Sequence, residues 1–319
     1  MPPRPAAILA VIYALGYPIG ALAVSAMSPM SVLVFRFGLS ALILTAWALA
    51  SGVRWPTGAM LGHVLVAGLL TQGLQFGCMY VALMHGSPAV LGAVMISMNP
   101  VATALLAAVF LGERLTAKRV AALVLGVVAV LAACAQRLLT VGGVDVVTVL
   151  LFVSLLAVAA GGVYQQKFCR GVDFRANAAL QNAAALVPVS ILAAFMPWHV
   201  ADLHKAIIAV AAVILLNSTL CMTLYVRAID RYGAAAVSML FAVIPAIAGL
   251  LSWLILGQRP DIGIVIGLVI GAVACWLNSA AQSVSSTAPA PTTPPPPTAG
   301  SSRSGPSGHR DPAAECPCP

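Results

Sequence analysis

Apolar residues in this chain run in long blocks rather than at a period of two. Blocks bounded by Gly, Pro or charge cover 6–25, 31–50, 60–83, 88–110, 119–136, 147–167, 178–197, 206–226, 233–256 and 262–280. A helix of about 20 residues crosses the hydrocarbon of a bilayer. Backbone in lipid must satisfy its own hydrogen bonds, and the alternating pattern of a membrane barrel strand is missing from the sequence. The pattern therefore predicts an all-α integral membrane protein of ten transmembrane helices. The first block follows a basic Arg4 and ends on small Val24-Ser25-Ala26, as a secretory leader does. Its length and its sequence partner further along favour a retained helix.

Composition sharpens this. Of 319 residues, 61% are hydrophobic and 8% charged, with mean hydropathy +1.02. So little charge cannot cover a water-facing surface, which excludes a soluble enzyme, a nucleic-acid-binding protein and a disordered scaffold. The net charge of +8 is scattered over short loops and implies no nucleic-acid partner. With the N-terminus cytoplasmic, the inner side carries Arg4, Arg54, Arg114, Lys118, Arg119, Lys167, Arg170, Arg175, Arg227 and Arg231, and the outer side only Arg137, Lys205 and Arg259. This asymmetry predicts a multi-pass protein of the plasma (inner) membrane with both termini cytoplasmic. Trp55, Trp198 and Trp276 fall near span ends, at interfacial depth. Residues 282–319 are rich in Pro, Ser and Thr and read as a disordered cytoplasmic tail. The tail ends in Cys316-Pro317-Cys318, either a soft-metal ligand pair or an unstructured end; no metal site is expected. Cys78, Cys134, Cys221 and Cys275 lie in apolar runs, as packing thiols do.

The chain also repeats itself. Residues 80–114 align without a gap onto 225–259, an offset of 145. The alignment sets Tyr80 on Tyr225, Pro100 on Pro245, Leu111-Gly112 on Leu256-Gly257 and Arg114 on Arg259. Leu9-Ala10-Val11 and Tyr17 match Leu156-Ala157-Val158 and Tyr164 at an offset of 147. This divides the chain into a first five-helix repeat, 1–138, and a second, 145–281. Five is odd, so the second copy inserts upside down. Two inverted repeats about an axis in the membrane plane are a recurring design of secondary transporters.

The residues that carry a family resemblance are Phe35-Arg36-Phe37, Asn99-Pro100, and Phe110-Leu111-Gly112-Glu113-Arg114-Leu115-Thr116 with its echo Ile255-Leu256-Gly257-Gln258-Arg259. With ten spans in two halves, they resemble the EamA family of the drug/metabolite transporter superfamily over residues 6–280. Gln258 stands where Glu is usual, and Leu15-Gly16-Tyr17 where Trp-Gly is frequent. The resemblance implies alternating access, usually the export of amino acids or other small metabolites and sometimes of drugs.

Polar side chains at depth are costly, so each marks a candidate site. Arg36 either holds an anionic group in a cavity or snorkels to the outer interface. Gln72 and Asn217 occupy mid-span positions related by the offset of 145, and Gln75 lies one turn from Gln72. They either line the cavity or glue helices together. Gln181 is the repeat partner of Arg36. Asn99 and Tyr17 are further candidate substrate contacts. Pro100 and Pro245 free the carbonyls of Ile96 and Phe241 and are candidate hinges, or simple kinks. Tyr80 and Tyr225, near span ends, read as interfacial belt residues, and His63 as a solvated interface histidine. Gly263, Gly267 and Gly271 form a small-residue stripe for packing within the bundle or for a homodimer through the last helix.

The sequence holds no phosphate-binding Gly-x-x-x-x-Gly-Lys run and no paired zinc pattern, and every Asp and Glu lies in a loop, at a span end or in the tail. No cofactor and no catalytic residue is expected. The resulting expectation is a secondary transporter exporting amino acids or related polar metabolites. A lipophilic-compound exporter, with Met95, Met98, Met222 and Met239 as adaptable packing, is the alternative. A lipid-modifying membrane enzyme and a non-transporting membrane partner protein are more remote ones.

Overall fold

The computed structural model describes residues 3–111 and 145–257, together with 117, 120, 121, 124, 125, 128, 265, 266, 269, 270 and 273. The expected fifth and tenth spans, the tail, the Gly263-Gly267-Gly271 stripe, and Glu113, Arg114, Arg259 and Asp261 fall outside the continuously described stretches. Eight helices there are long and apolar enough to cross a membrane: Arg4–Ala26, Pro29–Ala50, Gly58–Met84, Leu91–Phe110, Val146–Phe168, Phe174–Ala194, Leu203–Tyr232 and Ala234–Leu256. They answer to the expected first to fourth and sixth to ninth spans, and are named so below.

Several helices begin or end beyond the apolar blocks, for local reasons. The sixth, seventh and eighth start on Asp145, Asp173 and Asp202, whose carboxylates accept from the backbone N–H groups of Thr148 (3.0 Å), Arg175 (2.9 Å) and Lys205 (3.0 Å). Such caps satisfy N–H groups that a helix start leaves unpaired. The seventh span therefore begins at Phe174, through a polar first turn, rather than at 178. Asp173 also pairs with the Arg175 guanidinium at 2.9 Å, which holds its carboxyl below the usual carboxylate range. The eighth span runs on to Tyr232 because its last turns, Arg227 to Arg231, are amphipathic.

Two kinds of irregularity recur at repeat-related positions. The third span contains a π-helical segment, Leu69–Leu74, and the eighth another, Val213–Cys221. A π turn inserts a residue into the helix and frees carbonyls from the regular ladder. Thr71 Oγ1 donates to Ala67 O at 2.8 Å, and Ser40 Oγ to Ile214 O at 3.5 Å. The fourth span breaks at Met98, between Ala89–Ser97 and Asn99–Leu111. The ninth breaks through a 3-10 turn, Met239–Ala242, before Ile244–Leu256. Pro100 and Pro245 sit at the start of the second segment in each case, where a missing N–H costs least.

The packing exchanges the halves. The second and seventh spans lie against each other. The first packs on the second segment of the ninth, as the sixth packs on that of the fourth. The loop after the first span meets the loop after the seventh: Ser28 N–H donates to His199 O at 2.9 Å and Ala201 N–H to Ala26 O at 2.8 Å. At the opposite face, Lys167 Nζ donates to Phe110 O at 2.9 Å. Leu111 and Asp145 therefore end at opposite faces of the bundle, and so do His85 and its repeat partner Asp230.

Candidate substrate-binding chamber

The second span carries Phe35, Arg36 and Phe37 in three directions. Phe35 is exposed and edge-on to Trp198 at 6.0 Å, while Phe37 is buried. Arg36 points to the bundle centre and is 2% exposed, so the snorkelling alternative does not apply. Its Nε donates to Ser218 Oγ, its Nη2 to Asn217 Oδ1 at 2.7 Å and its Nη1 to Tyr80 Oη at 3.3 Å. The guanidinium lies over the Phe76 ring, 3.6 Å from its centroid. A charged side chain at mid-membrane costs about 3 kcal/mol. Hydrogen bonds to a charged group return roughly 1.5–3 kcal/mol each, which is enough to hold Arg36 there.

These partners are neutral, so the positive charge stays uncompensated. Among the described residues no carboxylate lies inside the bundle: Asp145, Asp173 and Asp202 cap helices, and Asp230 is exposed at a helix end. A guanidinium has five N–H donors. Three are engaged, which leaves two for an acceptor that the described protein does not supply.

Gln72, in the first π segment, is 1% exposed, and its carbonyl Oε1 has no hydrogen-bond partner. An unmet buried acceptor costs about 1–3 kcal/mol. Gln75 Nε2 donates to Tyr13 Oη at 2.9 Å. A cavity of about 20 Å³ brings Arg36, Gln72, Gln75, Asn217, Tyr13 and Phe76 onto one wall. A second of the same size, lined by Tyr17, Tyr80 and Gly16, shares Tyr13, Gln75, Phe76 and Asn217 with it. Each has room for about one water molecule, so the chamber is closed. Open depressions flank it at the two faces: about 600 Å³ beside Leu83, Ser87 and Pro88, and about 410 Å³ beside Gln165, Arg170 and Gly233.

The two adjoining cavities together form the chamber: Arg36 and Gln72 line the first, Tyr17 the second, and Gln75 and Asn217 both. Gln181 does not touch it directly. Its Oε1 lies 2.8 Å from Thr71 Oγ1, which has a single proton to share between it and Ala67 O, and its Nε2 donates to Gln165 Oε1 and to Asn177 Oδ1 (2.7 Å). This chain of amides runs from Thr71, on the chamber wall, to Gln165, on the wall of the 410 Å³ depression. Asn99 accepts from Thr103 Oγ1 at 3.0 Å, one turn along its own helix, and lines neither cavity.

Two sequence expectations are corrected. Tyr80 and Tyr225 are buried, not interfacial. Tyr80 accepts from Arg36, and Tyr225 stands edge-on to Phe241. His63 bonds Tyr164 Oη through Nδ1 at 2.8 Å and stacks on Phe168 at 4.8 Å, so it is an anchored ring rather than a freely solvated one. Ser218, Phe76, Tyr13 and Thr71 carry no distinguishing pattern in the sequence; only the adjacency of Ser218 to Asn217 marks it.

Membrane-length apolar helices around closed, adjoining cavities that hold Arg36, Gln72 and Asn217, with a depression at each face, fit a multi-pass membrane transporter. A family model for the EamA-like transporter family matches residues 6–134 and again 146–280, so the chain belongs to that family and carries two such domains. The family comprises transporters, not enzymes. No curated protein is significantly similar to the chain. A protein of known crystal structure superposes with a TM-score of 0.65 at 17% identity, over 88% of this chain and 99% of its own; that likeness concerns the fold.

Proposed function

We propose that this transporter exports amino acids or closely related amphipathic carboxylates across the plasma membrane by alternating access. Its ten spans form two inverted five-helix halves with both termini in the cytoplasm. The observation that carries the substrate assignment is the pairing of an uncompensated Arg36 with the unpartnered Gln72 Oε1 in one cavity. The free guanidinium N–H groups take a carboxylate in bidentate fashion. Gln72 Oε1 accepts from the substrate's ammonium, and Tyr13, Tyr17 and Phe76 receive the side chain. Asn217 and Ser218 hold the guanidinium, and Pro100 and Pro245 lie where the helices bend as the chamber opens. The family resemblance supports the outward direction, and the basic asymmetry of the loops supports the orientation. A lipophilic cation fits less well, because it would meet the guanidinium charge with no carboxylate to offset it.

Counterflow in proteoliposomes tests this with matched sets: an amino acid, its decarboxylated amine and its 2-keto acid. The native protein should exchange the amino acid best. Arg36→Gln should lower amino-acid and keto-acid exchange about 10- to 100-fold, the worth of a charge-assisted hydrogen bond, and leave any amine exchange unchanged. Equal losses for all three would contradict the assignment.

A further inference from the structure

The N-terminal turns of the first span and the last turns of the eighth span enclose a groove of about 390 Å³ outside the chamber. Its rim carries Arg4, Arg227 and Arg231, all exposed. Its floor is Ile8, Leu9, Leu224 and Ala228. No carboxylate lines it: Asp230 lines the neighbouring depression with Gln165 and Gly233. None of the three arginines forms an ion pair among the described residues; Arg227 instead faces the Phe174 ring at 5.0 Å and Arg231 the Tyr232 ring at 5.8 Å. The first helix also starts here, and its N-terminal dipole adds to the positive field.

We infer that this groove binds one anionic glycerophospholipid of the leaflet at that face. Its phosphate sits among Arg4, Arg227 and Arg231, and an acyl chain lies along Ile8 and Leu224. Charge complementarity selects an anion. The apolar floor selects a lipid over a free anion, because a soluble phosphate gains nothing from Ile8, which is 54% exposed. The position agrees as well: the groove lies at the ends of two membrane-length helices, where headgroups meet hydrocarbon. Such a lipid ties the first span to the eighth, which carries Asn217 and Ser218.

Native mass spectrometry of the full chain in mild detergent, titrated with phosphatidylglycerol or phosphatidylcholine, tests the inference. The native protein should bind one phosphatidylglycerol in preference to phosphatidylcholine, by about fivefold for each arginine engaged. The triple variant R4Q/R227Q/R231Q should bind both lipids equally. R54Q/R170Q, which removes two exposed positive charges at the same face, should behave as the native protein. Gel filtration and thermal melting establish that each variant is folded; if the triple variant is not, R4Q and R227Q singly should each give a partial loss of preference. Retained preference in the arginine variants, an equal loss in R54Q/R170Q, or displacement of phosphatidylglycerol by millimolar inorganic phosphate would overturn it.

Discussion

Arg36 and Gln72 sit in one cavity under opposite conditions. Arg36 is held by Ser218, Asn217 and Tyr80, so removing it leaves three neutral groups that can rebond locally. Gln72 Oε1 bonds nothing and pays the desolvation of an acceptor with no return inside the protein. Gln72→Leu should therefore keep or raise the melting temperature of the purified protein, by relieving about 1–3 kcal/mol of unmet polarity. It should also lower amino-acid counterflow at least about tenfold if the oxygen takes the substrate ammonium. Stability and transport would move in opposite directions, as they do when a residue is kept for function. A fall in both would identify Gln72 as a structural amide. Arg36→Lys should not restore exchange, because an ammonium cannot reproduce the planar fork that reaches Ser218, Asn217 and a carboxylate together.

The elements show which features the sequence carries and which it does not. Gln72 and Asn217 are visible as polar residues at matching places in two apolar runs, and the structure sets both in π segments against one chamber. The π segments themselves leave no trace in composition. Tyr80, read as interfacial from its distance to the span end alone, instead faces Arg36, because a hydrophobic run does not tell which side of a helix its partners occupy. Helix starts at Asp173 and Asp202 lie outside the apolar blocks because a cap, not hydropathy, sets them. Gln181 illustrates the limit of symmetry: its position matches Arg36, yet its amide closes a network with Thr71, Gln165 and Asn177. Gly16 shows how close the elements must come. A Cβ there would collide with the amide nitrogen of Asn217, the residue that holds Arg36. Because that amide is the tip of a side chain, Gly16→Ala should fold and insert normally. Proteoliposome counterflow of the variant should fall about tenfold, the loss of one charge-assisted bond. Unchanged exchange would show that the Asn217–Arg36 bond is dispensable.

Across the whole molecule, the packing of the first span on the ninth mirrors that of the sixth on the fourth, and the described helix ends alternate between two faces. Single cysteines at His85 and at its repeat partner Asp230 should accordingly be labelled from opposite sides of sealed vesicles by an impermeant maleimide, His85 from outside. Labelling of both from one side would break the inverted arrangement. If one anion-selective chamber opens to each face in turn, as proposed, the chain already holds a probe of it. Cys221 is 2% exposed and lines the cavity with Arg36 and Gln72. With the other six cysteines replaced by serine or alanine, the rate at which the anionic thiol reagent 2-sulfonatoethyl methanethiosulfonate modifies Cys221 can be measured from each side of oriented vesicles. Modification should be slow from both sides, and the transported amino acid, but not its amine, should protect Cys221 from both. Modification from one side only, or no protection by any carboxylate, would contradict that proposal.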